Sequence, residues 1–184
     1  MKKIQIFALL FMSLPLLATA QLEVYGRYTI GESVAPNINL FGTKKLSDKA
    51  NLTAFFLVEE KFSEALVGIS YSPSKHLSIG VSGGIENSPK LLRFGSSIWV
   101  GKNNTSLLLL GEKGNGKDNY WYKANLFQKL SDKLTVGATA WRFHGVGPNV
   151  RFTTKKLAST LWMMPAYDFE ADKTKVMIGW SIKI

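Results

Sequence analysis

The feature that most constrains this chain is its alternation. From residue 22 onward, apolar residues recur at every second position and the places between them are held largely by Gly, Ser, Thr or charge. In LTVGATAW (134–141), Leu134, Val136, Ala138 and Ala140 fall on one face, and Thr135, Gly137, Thr139 and Trp141 on the other. The final segment, KVMIGWSIKI, sets Val176, Ile178, Trp180, Ile182 and Ile184 against Lys175, Met177, Gly179, Ser181 and Lys183. A period of two is that of a β-strand, and little in the chain repeats at helical spacing. A soluble sandwich also alternates, but it turns its apolar face inward and needs a polar, rarely glycine-rich outer face. A membrane-spanning barrel inverts that arrangement, with apolar and aromatic residues outward and small or charged ones toward the lumen. Glycine and serine facing inward relieve crowding where strands curve. The pattern therefore predicts an all-β protein, a single antiparallel up-and-down transmembrane β-barrel.

Twelve strands can be counted, at 22–30, 38–46, 52–61, 64–72, 76–85, 91–100, 106–114, 120–130, 134–143, 150–157, 160–169 and 175–184. Most approach the ~9–11 residues of a tilted membrane strand. The second and tenth have the weakest pattern, so ten strands is the alternative count. Short polar corners separate the segments. KLSDK occurs twice, at 45–49 and 129–133, and SPSKH and KKLAS follow the same plan. Ser, Asp and Asn favour tight turns because their side chains bond to the local backbone. With strands running alternately up and down from a periplasmic N-terminus, these corners and GKNNT (101–105) share the periplasmic rim, while EADKTK (170–175) lies at the other. An even strand number returns the C-terminus to the periplasm.

The N-terminal segment MKKIQIFALLFMSLPLLATA has two lysines, an apolar run and a small-residue Ala18-Thr19-Ala20 site. It reads as a secretory signal over 1–20, leaving one barrel domain over 21–184. The run is interrupted by Gln5, Ser13 and Pro15, and is too short for a spanning helix of ~20 residues. The chain contains no cysteine, which weakly favours a fold stabilised without disulfides. Without Lys2 and Lys3, 21 basic residues face 13 acidic ones. That surplus favours anionic partners, with nucleic acid discounted for an exported chain.

Signal, short Ser/Asp/Lys turns and alternating final strand together resemble the small outer-membrane β-barrel (porin-like) proteins of Gram-negative bacteria. The resemblance spans 21–184 and is one of pattern. Final strands of that class commonly end in an aromatic residue, whereas this one ends in Ile184 with Trp180 inside it. The likeness implies localisation in the outer membrane, among its lipids and lipopolysaccharide.

Alternation points Glu23, Arg27, Arg93, Lys123, Arg151 and Lys155 inward, with Glu112 and Asp168 beside them. Two readings follow: an ion network that fills the lumen, or an anion-attracting lining in which Arg holds carboxylate or phosphate through paired donors. A narrow passive channel for small anionic solutes is the expected function, a closed structural barrel the alternative. Neither cofactor nor metal is expected. His76 and Ser78 form an HxS pattern of the kind found in outer-membrane lipid A deacylases, but no full set of nucleophile, base and orienting acid accompanies it. His144 is expected at the outer rim. GEKGNGKDN (111–119) lacks the GK[ST] ending of a phosphate loop and reads as a hairpin. HGVGPN (144–149) reads as a tight loop, and Pro165 within WMMPAYDF as a bulge or strand edge. Tyr120, Trp121, Tyr122, Trp141 and Phe143 are expected to form an interfacial belt.

Overall fold

The computed structural model describes residues 19–88 and 91–184. Most of the expected signal thus lies outside the described residues; Thr19 and Ala20 open the first strand. Twelve strands follow: β1 (Thr19–Thr29), β2 (Val34–Lys45), β3 (Ala50–Glu59), β4 (Ser63–Ser74), β5 (Leu77–Glu86), β6 (Leu92–Lys102), β7 (Thr105–Gly114), β8 (Tyr120–Lys129), β9 (Leu134–Trp141), β10 (Gly145–Thr154), β11 (Ser159–Asp168) and β12 (Lys173–Lys183). Each pairs antiparallel with its neighbours in sequence, and β1 pairs with β12 from Gln21–Lys183 to Thr29–Lys175, which closes the barrel. Closure leaves no sheet edge, the condition for a β-structure within lipid.

Directly opposed residues share a face, so the register assigns every side chain to lumen or exterior. Outward go Val67, Ile69, Val81, Phe94, Leu126, Phe152, Leu161 and Ile178, each more than half exposed. A water-soluble protein would bury such a surface. Inward on β4 to β6 lie Gly68, Ser70, Gly80, Ser82, Gly84, Gly95 and Ser97. At Gly84 the neighbouring backbone leaves no room for a side chain: a Cβ would stand 1.9 Å from the Ala65 carbonyl oxygen.

No connection exceeds five residues. The two KLSDK corners are built alike. Ser47 Oγ accepts from the amides of Lys49 and Ala50 at 3.3 and 3.1 Å, and Ser131 Oγ from those of Lys133 and Leu134 at 3.2 and 3.1 Å. A Lys–Asp pair of 2.7 Å spans each corner, Lys45–Asp48 in one and Lys129–Asp132 in the other.

Several expectations are corrected. HGVGPN is not a loop: β10 begins at Gly145, with the turn reduced to residues 142–144. Pro148 lies within β10 and keeps its pairing with Ala138 on β9, since its missing N–H affects only the ladder on the other side. Trp121 and Trp141 leave the interfacial belt, because their register with Glu112 and Lys123 turns them into the lumen. Tyr120 and Tyr122 remain outside. Lys155 is not a lumen residue; it stands in the β10–β11 turn, paired with Asp132 at 2.5 Å. His76 precedes β5 instead of sharing a strand face with Ser78.

Pro165 marks an interruption without a bulge. The pairs Val146–Tyr167 and Val150–Met163 have one register, which sets Pro148 opposite Pro165, and no pairing joins the two strands between them. Both residues lack the N–H that an opposed pair would exchange. The ladder's one register shift lies elsewhere, between Tyr71 and Ser74 on β4. Pro165→Val restores one donor to this seam and is expected to stabilise the barrel by about 1 kcal/mol. Urea unfolding in detergent checks this, and hydrogen exchange should show the β10–β11 amides less protected than those of β1–β12.

Candidate functional site: the barrel lumen

The register brings Glu23, Arg27, Arg93, Lys123, Arg151, Glu112 and Asp168 onto one continuous inner face. Their surroundings divide them into two groups.

Arg93 lies on β6, next to glycines on both sides: Gly84 on β5 and Gly114 on β7. These small neighbours let its guanidinium lie flat among carboxylates from three other strands. Nε stands 2.6 Å from Glu64 Oε2 and 2.8 Å from Glu112 Oε2, and Nη1 2.7 Å from Glu86 Oε2. Nη1 also donates to Asn119 Oδ1 at 3.0 Å, while Asn119 Nδ2 donates to Glu86 Oε1 at 2.5 Å. Nε has a single hydrogen, which Glu112 accepts. Glu64 Oε2 stands within ion-pair distance of the same Nε. Arg93 is 3% exposed, so its charge is spent on protein and not on lumen water. Asp168 is committed as well: it accepts from the Glu170 and Ala171 amides and from Lys175 Nζ.

Glu64, Glu86 and Asn119 were not singled out from the sequence. Glu64 and Glu86 face inward by alternation and Asn119 closes the β7–β8 connection, but only the cross-strand register shows that they meet at Arg93. Removing one partner of a buried ion cluster leaves the others uncompensated, typically a loss of 3–5 kcal/mol. Arg93→Met is expected to lose about that much, whereas Lys45→Ala in an exposed pair loses about 0–1 kcal/mol. Denaturant titration of the two variants checks the contrast.

The facing wall is aromatic. Tyr25, Trp141, Trp162, Met164 and Met177 all point inward and pack together, each 3% exposed or less, with Trp121 against them. Trp141 lies edge-on to Trp121 and stacks on His144 with ring centres 3.8 Å apart. Against this wall stand three cations that no described carboxylate pairs with. Lys123 Nζ lies 3.5 Å from the Trp141 ring centre, and Arg151 Cζ 4.1 Å from that of Phe127. Arg27 Nη1 reaches the Phe143 carbonyl and His144 Nε2, both at 3.5 Å. Ring faces attract cations without neutralising them. Glu23 shares this inner face between Asn39 and Ser181.

The short turn 142–144 covers the rim of this wall. Phe143 is left-handed there (φ 67°), and its carbonyl accepts from Lys175 Nζ at 2.8 Å. Arg27, Phe143, Asp168 and Lys175 line a recess of about 340 Å³ that opens at this rim. At the rim carrying the chain ends, a second recess of about 510 Å³ is lined by His76, Trp99 and Lys129 among others. Phe41 and Trp99 face inward yet remain 45% and 36% exposed, so this half of the lumen is the wider one. His76 itself is used in the turn, with Nδ1 donating to the Gly101 carbonyl at 2.7 Å.

Tyr25 Oη donates to His144 Nε2 at 3.2 Å, and His144 Nδ1 donates to the Arg142 carbonyl at 3.2 Å. The neutral imidazole thus accepts at Nε2 and donates at Nδ1. Burial first, and the Arg27 charge second, hold its pKa well below the ordinary value. On acidification the unfolded chain takes up a proton near pH 6.5 and the folded chain does not. The contribution to stability is therefore fully present above that pH and declines as the pH falls below it. The melting temperature should drop between about pH 7 and pH 5, and His144→Gln should flatten that slope.

No protein-family model and no curated protein sequence matches the chain. Among solved structures it is similar to the KdgM porin, with a TM-score of 0.59 and 12% identity, covering 88% of this chain and 98% of that one. The same porin in complex with disordered oligogalacturonate gives 0.58 and 12% over the same shares. The NanC porin gives 0.58 and 9%, covering 89% of this chain and 100% of that one. At these identities the likeness is one of architecture, and the closed twelve-stranded barrel of this chain has the fold of the outer-membrane porins.

Proposed function

We propose that the protein is a narrow outer-membrane channel for small anionic solutes, with Arg27, Lys123 and Arg151 as the cations that meet them. The observation that carries this reading is the absence, among the described residues, of any carboxylate ion-paired with these three, although Arg93 on the opposite wall is paired three times over. Cations in a low-dielectric passage attract anions without binding them tightly, which passive conduction requires. The KdgM porin, similar in fold, is described in complex with oligogalacturonate, and an acidic saccharide is the kind of solute that such a lining would attract. Glu23 lies on the same face and would moderate the field.

A second reading rests on the packed ring of Tyr25, Trp141, Trp162, Met164 and Met177. With the Arg93 cluster opposite, these side chains fill much of a lumen that twelve strands leave between the filled interior of ~8 and the open channel of ~16–18. In this reading the barrel is closed and structural.

Reconstitution in planar bilayers separates the two. The channel reading expects small steady conductance with anion preference, weakening with salt because screening acts over ~8 Å at physiological ionic strength. The double variant Lys123→Glu/Arg151→Glu should lose that preference or reverse it. Absent conductance in correctly folded protein would instead establish the closed barrel.

A further inference from the structure

The charge of this barrel is divided between its ends. At the rim opposite the termini, Glu32, Glu170 and Asp172 stand among Lys61, Lys117 and Lys173, so the signs mix. At the rim carrying the termini, all five corners bring lysine, and Asp48 and Asp132 are the only described carboxylates in them. Both are already paired with lysines of their own rim.

These lysines are not scattered over a polar surface. Three of the corners contain a Lys–Leu doublet, Lys45–Leu46, Lys129–Leu130 and Lys156–Leu157; Lys45 and Lys129 face the lumen, and the leucines that follow them turn outward. The leucines are 55%, 57% and 63% exposed, although a tight turn gives no structural reason to place one there. The last strand ends similarly, in Lys183 and an Ile184 that is 69% exposed. An apolar side chain beside an ammonium at the edge of an apolar belt suits the boundary between acyl chains and headgroups. The leucine enters the hydrocarbon margin, and the rim lysines that do not face the lumen, Lys44 and Lys102 by register and Lys156 in its turn, extend their stems along it to keep the charge in the phosphate layer.

We propose that the rim carrying the chain ends is a docking surface for the anionic phospholipid headgroups of the leaflet around it. Geometry favours a leaflet over a compact acidic protein. The doublets lie on β2–β3, β8–β9 and β10–β11, on different sides of a closed ring, and the remaining corners add Lys75 and Lys102 between them. A compact partner would meet two or three corners at once, whereas an encircling leaflet meets them all. The exposed leucines have no role against a soluble polyanion. This surface is independent of whether the lumen conducts.

The test uses the full chain in phosphatidylcholine vesicles with and without phosphatidylglycerol, compared with a Lys44→Gln/Lys102→Gln/Lys156→Gln variant. Retention of phosphatidylglycerol over phosphatidylcholine on the extracted protein, read by native mass spectrometry, should exceed that of the variant by at least roughly tenfold, since a lysine near an anionic surface contributes a several-fold factor. The preference should also weaken with salt. A second variant, Leu46→Ser/Leu130→Ser/Leu157→Ser, should retain less of both lipids. A mobility difference between unheated and boiled samples confirms that each variant is folded. Equal retention of the two lipids by the unsubstituted protein would overturn the proposal, as would an undiminished preference in the glutamine variant. Stabilisation in detergent by soluble polyphosphate equal to that by phosphatidylglycerol would overturn the assignment to a lipid leaflet.

Discussion

The antiparallel ladder between β1 and β12 is the pairing on which the rest depends. Within hydrocarbon, each unpaired N–H or C=O costs several kcal/mol, so twelve strands are viable only if the first and last meet. They do so over nine opposed pairs, from Gln21–Lys183 to Thr29–Lys175. Once the ring is closed, alternation leaves two environments and no third. Every odd position of β1 enters the lumen and every even one faces outward. The facing prolines Pro148 and Pro165 are the local exception, and the ladder keeps its register across them.

The lumen is not a uniform tube. Small residues on β4 to β6 leave space that Leu66, Arg93 and three carboxylates occupy, while β1 and β8 to β12 contribute large rings and methionines. The ion cluster holds its wall through charge and hydrogen bonds, the other wall through packing. Because Arg93 is enclosed by carboxylates of three strands, its removal would unbalance β4, β5 and β7 together. Lys123 and Arg151 rest on rings instead, with no described carboxylate ion-paired to them. One inner face thus carries both enclosed and unpaired cations, separated by which of them have acidic neighbours.

Polarity along the axis is a separate property. Turns built from Ser and Asp recur because their side chains accept backbone amides, and KLSDK does this in the same way at both of its positions. The lysine and leucine side chains of those corners take no part in these amide bonds. They make one end basic and partly apolar, which gives the barrel distinct ends although its strands are alike.

Much of this was legible from residue order alone. Alternation is local, and a face that reads Val67, Ile69, Tyr71 against Gly68, Ser70, Ser72 identifies strand, face and inverted polarity without knowledge of any partner. Strand number and corner placement follow, because turn chemistry acts over four or five residues. What only the tertiary structure decided were the meetings across strands. Glu64, Glu86 and Glu112 are far from one another in sequence, and all three converge on Arg93 because the register of β4 to β7 is set by the whole sheet. Register likewise converted Arg93 from an expected lining residue into an enclosed one, turned Trp121 inward, and drew GVGPN into β10 through its continuous pairing with β9. Alternation tells a side chain which face to take; neighbours on that face come from pairings closed over the entire ring, and those no short stretch of sequence contains.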